Sequence, residues 1–405
     1  MALLPVDDAL RQVLEGVTPL ASEPEPLALA LDRVLAEPLI ARRTQPDFDC
    51  SAMDGYAVRS ADLASGTPLR VIGESAAGHA FTGTLGMGEA VRIFTGAPVP
   101  AGADSVIIQE RARRDGETVV FDGASAPGAN IRRRGLDFAE GQPALAEGVR
   151  LGPRELALAA ATNHAMLPVR RKPVIAILAT GDELVFPGQP IGDHQIVASN
   201  GFALAAMAAR EGATILDLGI AGDSYAALEA AIARARSAEA DVLVTIGGAS
   251  VGDHDLVQSA LAREGMTLGF WKIAMRPGKP LMHGRLGAMQ ILGMPGNPVS
   301  AIVCGVLFLV PLIRRLTGRR DGAVPTVPAR FAVDWPANDM RQDYLRATTR
   351  RGEDGVPLVT PFTVQDSSMV SVLQGADCLA IRPPHAPPAR AGDPCMIIDL
   401  AALGF

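Results

Sequence analysis

Between residues 174 and 316, short apolar runs alternate with Ala-rich stretches of helical spacing, and this alternation constrains the fold more than any other feature of the chain. The runs at 174–179, 214–218, 242–246 and 289–292 are short and rich in Val, Ile and Leu, so they predict strands. The stretches at 200–211, 224–237, 255–264 and 298–316 predict helices. Strands separated by helices imply a parallel sheet covered on both faces. The punctuation agrees: Asp223 can cap the helix that follows it, and Gly212 stands just past the end of the one before.

The flanking segments follow other patterns. Helical spacing at 6–14 and 27–39 predicts an N-terminal helical piece, and the pattern returns at 151–161 with Pro153 near its start. In between, short apolar runs at 69–72, 90–94, 105–109 and 118–121 are separated by Gly, Pro and Asp, which predicts an inserted β-rich module. After the basic stretch 314–320 and the Pro-containing linker 321–328, alternating short strands without a convincing helix before the tail predict a small β-barrel. The expected organisation is a multidomain α/β protein. It has a helical linker domain (1–45 plus 143–171), an inserted β-rich domain (46–142), a central parallel-sheet α/β domain (172–320) and a C-terminal β-barrel domain (321–405).

Composition narrows the function. A chain of 405 residues, 48% hydrophobic but only 4% aromatic, has ample material for several turn-rich globular cores. Its formal net charge of −7 argues against nonspecific nucleic-acid binding, and an anionic ligand must find a local cationic pocket. Cys50, Cys304, Cys378 and Cys395 suit neither a C-x-x-C metal pair nor a disulfide framework, which fits a reducing cytoplasm. The histidines are scattered without metal spacing. Residues 1–10 carry Asp7 and Asp8 and no basic-then-apolar pattern, so no secretory signal is expected. The apolar segment 299–313 falls short of the roughly 20 residues of a membrane span and contains Ser300 and Pro311; it predicts a buried core helix.

Ligands of open α/β sheets bind beyond the carboxyl ends of the strands. Three Gly-containing turns fall there: Thr180-Gly181-Asp182-Glu183, Gly247-Gly248-Ala249-Ser250 and Gly293-Met294-Pro295-Gly296-Asn297-Pro298. Small residues let backbone N–H groups approach phosphate oxygens, and the following helix adds the positive end of its dipole, so a phosphorylated ligand is implied. One such turn usually only reverses the chain; three in one domain point to a site. A second set is acidic: Asp54, Asp137, Glu183, Asp223 and Asp255. Carboxylates suit Mg²⁺, which takes one or two of them and fills its shell with water and substrate phosphate; Glu183, Asp223 and Asp255 are the candidate ligands. Asp223 and Asp255 read equally well as helix N-caps, and Asp54-Gly55 reads also as a hairpin tip with Gly at positive φ. A third set, Lys272, Arg276, Lys279, Arg346 and Ser367, offers charge-assisted donors to an anion, with Pro277, Gly278 and Pro280 fixing the backbone between two of the cations.

These motifs, preceded by Phe48-Asp49-Cys50-Ser51-Ala52-Met53-Asp54-Gly55-Tyr56-Ala57-Val58, resemble in order the molybdopterin molybdenumtransferase family, which also includes the C-terminal half of gephyrin. The resemblance spans nearly the whole chain. It implies a cytoplasmic enzyme that binds adenylylated molybdopterin on the α/β domain, takes up molybdate and releases AMP. It aligns the five acids with acids implicated in activity and Thr95 with a functional threonine, and it assigns Lys279, Pro280, Arg346 and Ser367 to oxyanion handling. Asp54 and Thr95 lie far in sequence from the phosphate turns; relatives bring the two together across a homodimer, one subunit's β module covering the other's α/β domain. Contacts with other molybdenum cofactor biosynthesis proteins are implied, and no membrane or nucleic-acid partner is expected. Three departures stand out: Arg276 where some relatives have Lys, Leu136 where an acid often precedes the Asp137 position, and Asp366 before Ser367 where some have Gly. Two alternatives are an adenylyltransferase that makes the adenylylated pterin and a noncatalytic pterin-binding scaffold. The extra modules and the Asp54 run stand against the first, retention of all five acids against the second.

Overall fold

A computed structural model of the chain describes residues 3–63, 67–248 and 256–405. The alternating segment builds a six-stranded sheet in the order Thr214–Ala221, Val174–Thr180, Val242–Ile246, Met289–Met294, Met282–Leu286, Thr267–Trp271. The first four strands are parallel, as the strand–helix alternation predicts. Two further strands that the pattern did not mark, Met282–Leu286 and Thr267–Trp271, extend the sheet, each paired antiparallel with its neighbour. A tight connection through Gly287 at φ +63° joins Met282–Leu286 to Met289–Met294, and only antiparallel neighbours can be linked so briefly.

Side-chain alternation distributes the sheet's apolar residues to two cores. Ile175, Ile177, Val242 and Val244 face a core with the Asn200–Arg210 helix and the long helical run from Pro298 to Leu316. Ala176, Leu178 and Leu243 face the opposite core, with the Tyr225–Ser237 and Leu256–Arg263 helices. The Pro298–Leu316 run is long and apolar enough to cross a membrane by length and composition, yet its apolar window is 89% buried, as expected of a core helix. It contains one π-helical stretch, Gly305–Leu309, just before Pro311, whose missing N–H cannot continue the regular ladder. Ser224, not Asp223, caps the next helix on: its Oγ accepts the Ala227 N–H at 3.3 Å.

Other segments depart more from their patterns. Val6–Leu14 is helical but packs Val6, Ala9 and Val13 onto the α/β core. The helix expected over 27–39 is absent. Leu27–Leu39 yields one 3-10 turn at Leu27–Leu29, Asp32 sits at φ +63°, and Leu39–Ile40 pairs as a strand with Pro143–Leu145. Leu29 and Leu31 are exposed, so the apparent helical stripe never had a single face to bury. The inserted module is a six-stranded sheet in the order Ser105–Ile108, Gly55–Val58, Glu89–Ile93, Leu69–Ser75, Thr118–Phe121, Ala112–Asp115. At the C-terminus, Val327–Phe331, Gln342–Arg351, Pro357–Pro361, Cys378–Arg382 and Pro394–Asp399 close into a barrel, because Gln342–Arg351 pairs with both Pro357–Pro361 and Cys378–Arg382. A short helix, Val370–Gln374, was not expected there.

One buried ionic cluster ties the sheet's helices to the chain that leaves them. Glu211, at the end of the Asn200–Arg210 helix, accepts from Arg314 Nη2 at 2.8 Å and Nε at 3.0 Å, and from Arg319 Nη1 at 2.5 Å. All three side chains are nearly inaccessible to solvent. Removing the anion from such a cluster leaves charge without compensation, so Glu211→Ala should destabilise by about 3–5 kcal/mol in urea unfolding. A loss below about 1 kcal/mol would show that solvent reaches the two guanidinium groups.

Candidate active site

The carboxyl ends of Val174–Thr180, Val242–Ile246 and Met289–Met294 stand level, and the three glycine-containing turns leave them at one point. Backbone contact there is close. Thr180 Oγ1 donates to the Ile246 carbonyl at 3.3 Å, and the Gly247 N–H donates to the Met294 carbonyl at 3.2 Å. Gly247 has φ +92°, and a Cβ there would stand 2.7 Å from the Thr180 carbonyl oxygen. At Gly181, φ +142°, an added Cβ would lie 2.3 Å from Glu183 Oε2, so the carboxylate would have to turn aside.

The turns enclose a cleft of about 550 Å³. Of the expected ligand-binding residues, Thr180, Gly181, Gly247, Gly248, Pro280, Pro295, Gly296 and Asn297 line it, together with the acids Glu183 and Asp223. Asp182 supports the cleft from behind, its Oδ1 accepting the Asp223 N–H at 3.0 Å. Ser250 and Asp255 lie outside the described residues. Among the described residues no group of three His, Cys, Asp or Glu side chains forms a metal cage. Glu183 and Asp223 nevertheless share the cleft with no cationic partner among the described residues, a donor pair that fits Mg²⁺ completed by water and phosphate oxygens. Sequence reasoning missed two residues here. Ser300 lines the cleft one turn into the Pro298 helix, and Asn200 Nδ2 donates to the Gly296 carbonyl at 2.7 Å. Ser300 stands two residues past the motif that marked the turn; Asn200 carried no signal beyond starting a helix.

The cationic set divides. Lys279 is exposed, beside Pro280 at the cleft. Lys272 is half-buried with Nζ 4.7 Å above the Trp271 ring. Arg276 is committed to an ion pair with Asp343, and that carboxylate strengthens its hold on its proton. Arg346 is buried in the barrel; Nη2 donates to the Asp366 carbonyl at 3.0 Å, Nε has no partner, and burial lowers its pKa. Ser367 bridges barrel and helix: its Oγ accepts from Asn297 Nδ2 at 2.8 Å and its carbonyl accepts the Val299 N–H at 3.0 Å. The Asp366 carboxylate turns to the Ser368 hydroxyl at 2.6 Å and N–H at 2.8 Å, which hold its pKa below the ordinary value.

The remaining acids sit in the inserted module. Asp54 Oδ1 accepts the Thr95 N–H at 2.7 Å and the Thr95 hydroxyl at 2.8 Å. Gly55 does not take positive φ, contrary to a hairpin tip; a Cβ there would be 1.8 Å from the Ile107 carbonyl oxygen, so the residue serves close strand approach. Asp137 is exposed in a separate cavity of about 500 Å³, alongside Arg43, Cys50, Gly96 and Arg132. Asp54, Thr95 and Asp137 do not line the α/β cleft. Among the described residues no hydrogen bond or ion pair joins their module to the three turns.

Comparison with known proteins gives this arrangement a class. Three family models match in succession: "MoeA N-terminal region (domain I and II)" over residues 4–162, "Probable molybdopterin binding domain" over 176–315 and "MoeA C-terminal region (domain IV)" over 328–400. The molybdopterin molybdenumtransferase of Haemophilus influenzae is 36% identical over 390 residues, 94% of each chain. That of Bacillus subtilis is 34% identical over 94% of this chain and 90% of its own. A crystal structure of the molybdopterin biosynthesis MoeA protein from Pyrococcus horikoshii superposes with a TM-score of 0.85 at 30% identity, covering 98% of this chain and 99% of that one. The fold is thus that of the multidomain molybdopterin biosynthesis proteins. Within that class the chain belongs to the molybdopterin molybdenumtransferase family.

Asp54 carries a testable electrostatic mark. The Thr95 N–H first, and its hydroxyl second, hold the Asp54 pKa below the ordinary carboxylate value. This contact therefore favours the folded state above the unfolded-state pKa, and the benefit is lost as pH falls through the lowered one. Thr95→Val removes only the hydroxyl, so a carboxyl ¹³C NMR titration should show the Asp54 pKa rise part of the way back. An unchanged value would remove the hydroxyl from the account.

Proposed function

We propose that this enzyme inserts molybdate into adenylylated molybdopterin and releases AMP as the phosphoanhydride is cleaved, yielding molybdenum cofactor. The carrying observation is the cleft itself, where three strand-end turns meet Glu183 and Asp223, which have no cationic partner among the described residues. Small turn residues and the start of the Pro298 helix suit the substrate's phosphates. Glu183 and Asp223, with Asp255 as third candidate, would hold Mg²⁺, which supplies charge neutralisation at the phosphoanhydride. Lys272, Lys279, Arg346 and Ser367 are the donors proposed for molybdate, a tetrahedral dianion.

Asp54, Thr95 and Asp137 belong to the same reaction in this proposal, and they reach the cleft from a second copy of the chain. The proposed assembly is a cytoplasmic homodimer with two composite sites, receiving its adenylylated substrate from another protein of molybdenum cofactor biosynthesis. Asp54 and Thr95 are proposed to act on the reacting end of the substrate, opposite the phosphate turns, with Asp137 further along the same face.

Two measurements test this. Purified protein with adenylylated molybdopterin, Mg²⁺ and molybdate should release AMP only when molybdate is present; ATP consumption with free molybdopterin would instead mark an adenylyltransferase, and tight binding without turnover a scaffold. Asp54→Asn and Glu183→Gln chains should each be nearly inactive. Mixed by co-expression, they should recover roughly a quarter of the wild-type rate, since half the dimers are mixed and each of those has one intact site. No recovery on mixing would place both residues in the site of a single chain.

A further inference from the structure

The Arg276-Pro277-Gly278-Lys279-Pro280 turn belongs to the α/β domain but is built into the barrel. Met275–Arg276 runs parallel to the first two residues of Gln342–Arg351, with Arg276 opposite Asp343, and the Gln342 N–H donates to the Ala274 carbonyl at 2.9 Å. The base of the turn is closed on itself, the Ile273 N–H donating to the Lys279 carbonyl at 2.9 Å and the Lys272 N–H to the Leu281 carbonyl at 3.1 Å. At its apex Gly278, at φ +108°, lies so near the core helix that a Cβ would be 2.6 Å from Cys304 Sγ.

Asp343 is the charged component of this junction. Its side chain is only 3% exposed, one oxygen pairs with Arg276, and the other, Oδ1, has no partner. Asn338 and Asp339 also face Arg276, at 3.4 Å and 3.5 Å, and Asn338 is itself fixed by donating to the Arg341 and Pro383 carbonyls at 2.7 and 2.8 Å. Arg276 is therefore occupied, while neither Lys272 nor Lys279 has an ion-pair partner among the described residues.

We propose that Asp343 is a positioning residue for oxyanion binding: it clamps the Arg276 end of the turn to the barrel, so that Lys279 and Pro280 stand at the cleft. In this arrangement Arg276 acts as a strap between domains and does not contact the anion itself. The assignment rests on the molybdate-insertion reading above. It adds that anion affinity is set partly from the barrel side.

Asp343→Asn removes the charge from the clamp and leaves the reacting groups in place. The expected result is a rise of about tenfold in KM for molybdate with kcat at saturating molybdate within about twofold of wild type, the pattern of lost binding that is equal in ground and transition states. Asp343→Glu should recover most of the affinity, and Arg276→Gln combined with Asp343→Asn should cost no more than either alone, since both break one contact. Hydrogen exchange should quicken over residues 272–281 in Asp343→Asn and stay unchanged in the Val242–Ile246 strand. A fall in kcat with KM unchanged, additive losses in the double variant, or unaltered exchange over the turn would each overturn the clamp. A wild-type protein that releases no AMP would refute the insertion reading, while the exchange measurement would still decide whether Asp343 holds the turn.

Discussion

The cleft depends on how closely three strand ends approach one another. Parallel register sets Ala179, Ile246 and Met294 level, and each chain then leaves the sheet through residues that present little or no side chain to the neighbouring backbone. At Gly247 the limiting contact is the Thr180 carbonyl, and at Gly248, φ +66°, it is the Val257 side chain, 2.4 Å from where a Cβ would stand. A larger residue at Gly247 would press on the Thr180 carbonyl and push these two turns apart. Anion binding by backbone N–H groups and helix dipoles falls off within a turn of helix, so the convergence is what makes the site.

Around that convergence, charge is arranged against the sign of the whole chain. A net charge of −7 offers an anion nothing at long range, so the proposed anion binding must rest on local charge. Asp366, which threatens the anion side, is turned onto Ser368. Arg346 is desolvated with an unpartnered Nε, a costly arrangement of the kind that accompanies ligand sites. The Asn297–Ser367 contact then joins the barrel to the start of the Pro298 helix. The barrel thereby abuts the cleft, and Ser368 lines an adjoining cavity with Gly296 and Asn297.

Legibility from sequence followed burial. Val242–Ile246 was marked to the residue because it is buried on both faces and reads as an uninterrupted apolar run. The Pro298–Leu316 helix was equally plain for the same reason. Leu27–Leu39 misled because its leucines are shared between interior and solvent, and spacing alone does not reveal which. The antiparallel pair Met282–Leu286 and Thr267–Trp271 was missed because its decisive feature, the tight turn at Gly287, is a local conformation. The turns were readable as motifs, while Asn200 and Asp343 make contacts 96 and 67 residues away, which no local pattern encodes.

The geometry at Asp54 bears on the two readings its sequence offered, a hairpin tip and a functional acid. An aspartate that merely shapes a turn bonds the backbone a residue or two ahead of itself. Asp54 instead takes both of its donors from Thr95, 41 residues away on the far side of the Glu89–Ile93 strand. Those two bonds occupy Oδ1 alone, and Oδ2 has no partner among the described residues. Gly55, freed from any need for positive φ, instead lets the Ser105–Ile108 strand come close. A negative charge so fixed, with one oxygen without a partner among the described residues, is poorly explained by turn formation. An open carboxylate oxygen is what the proposed composite site would require of Asp54.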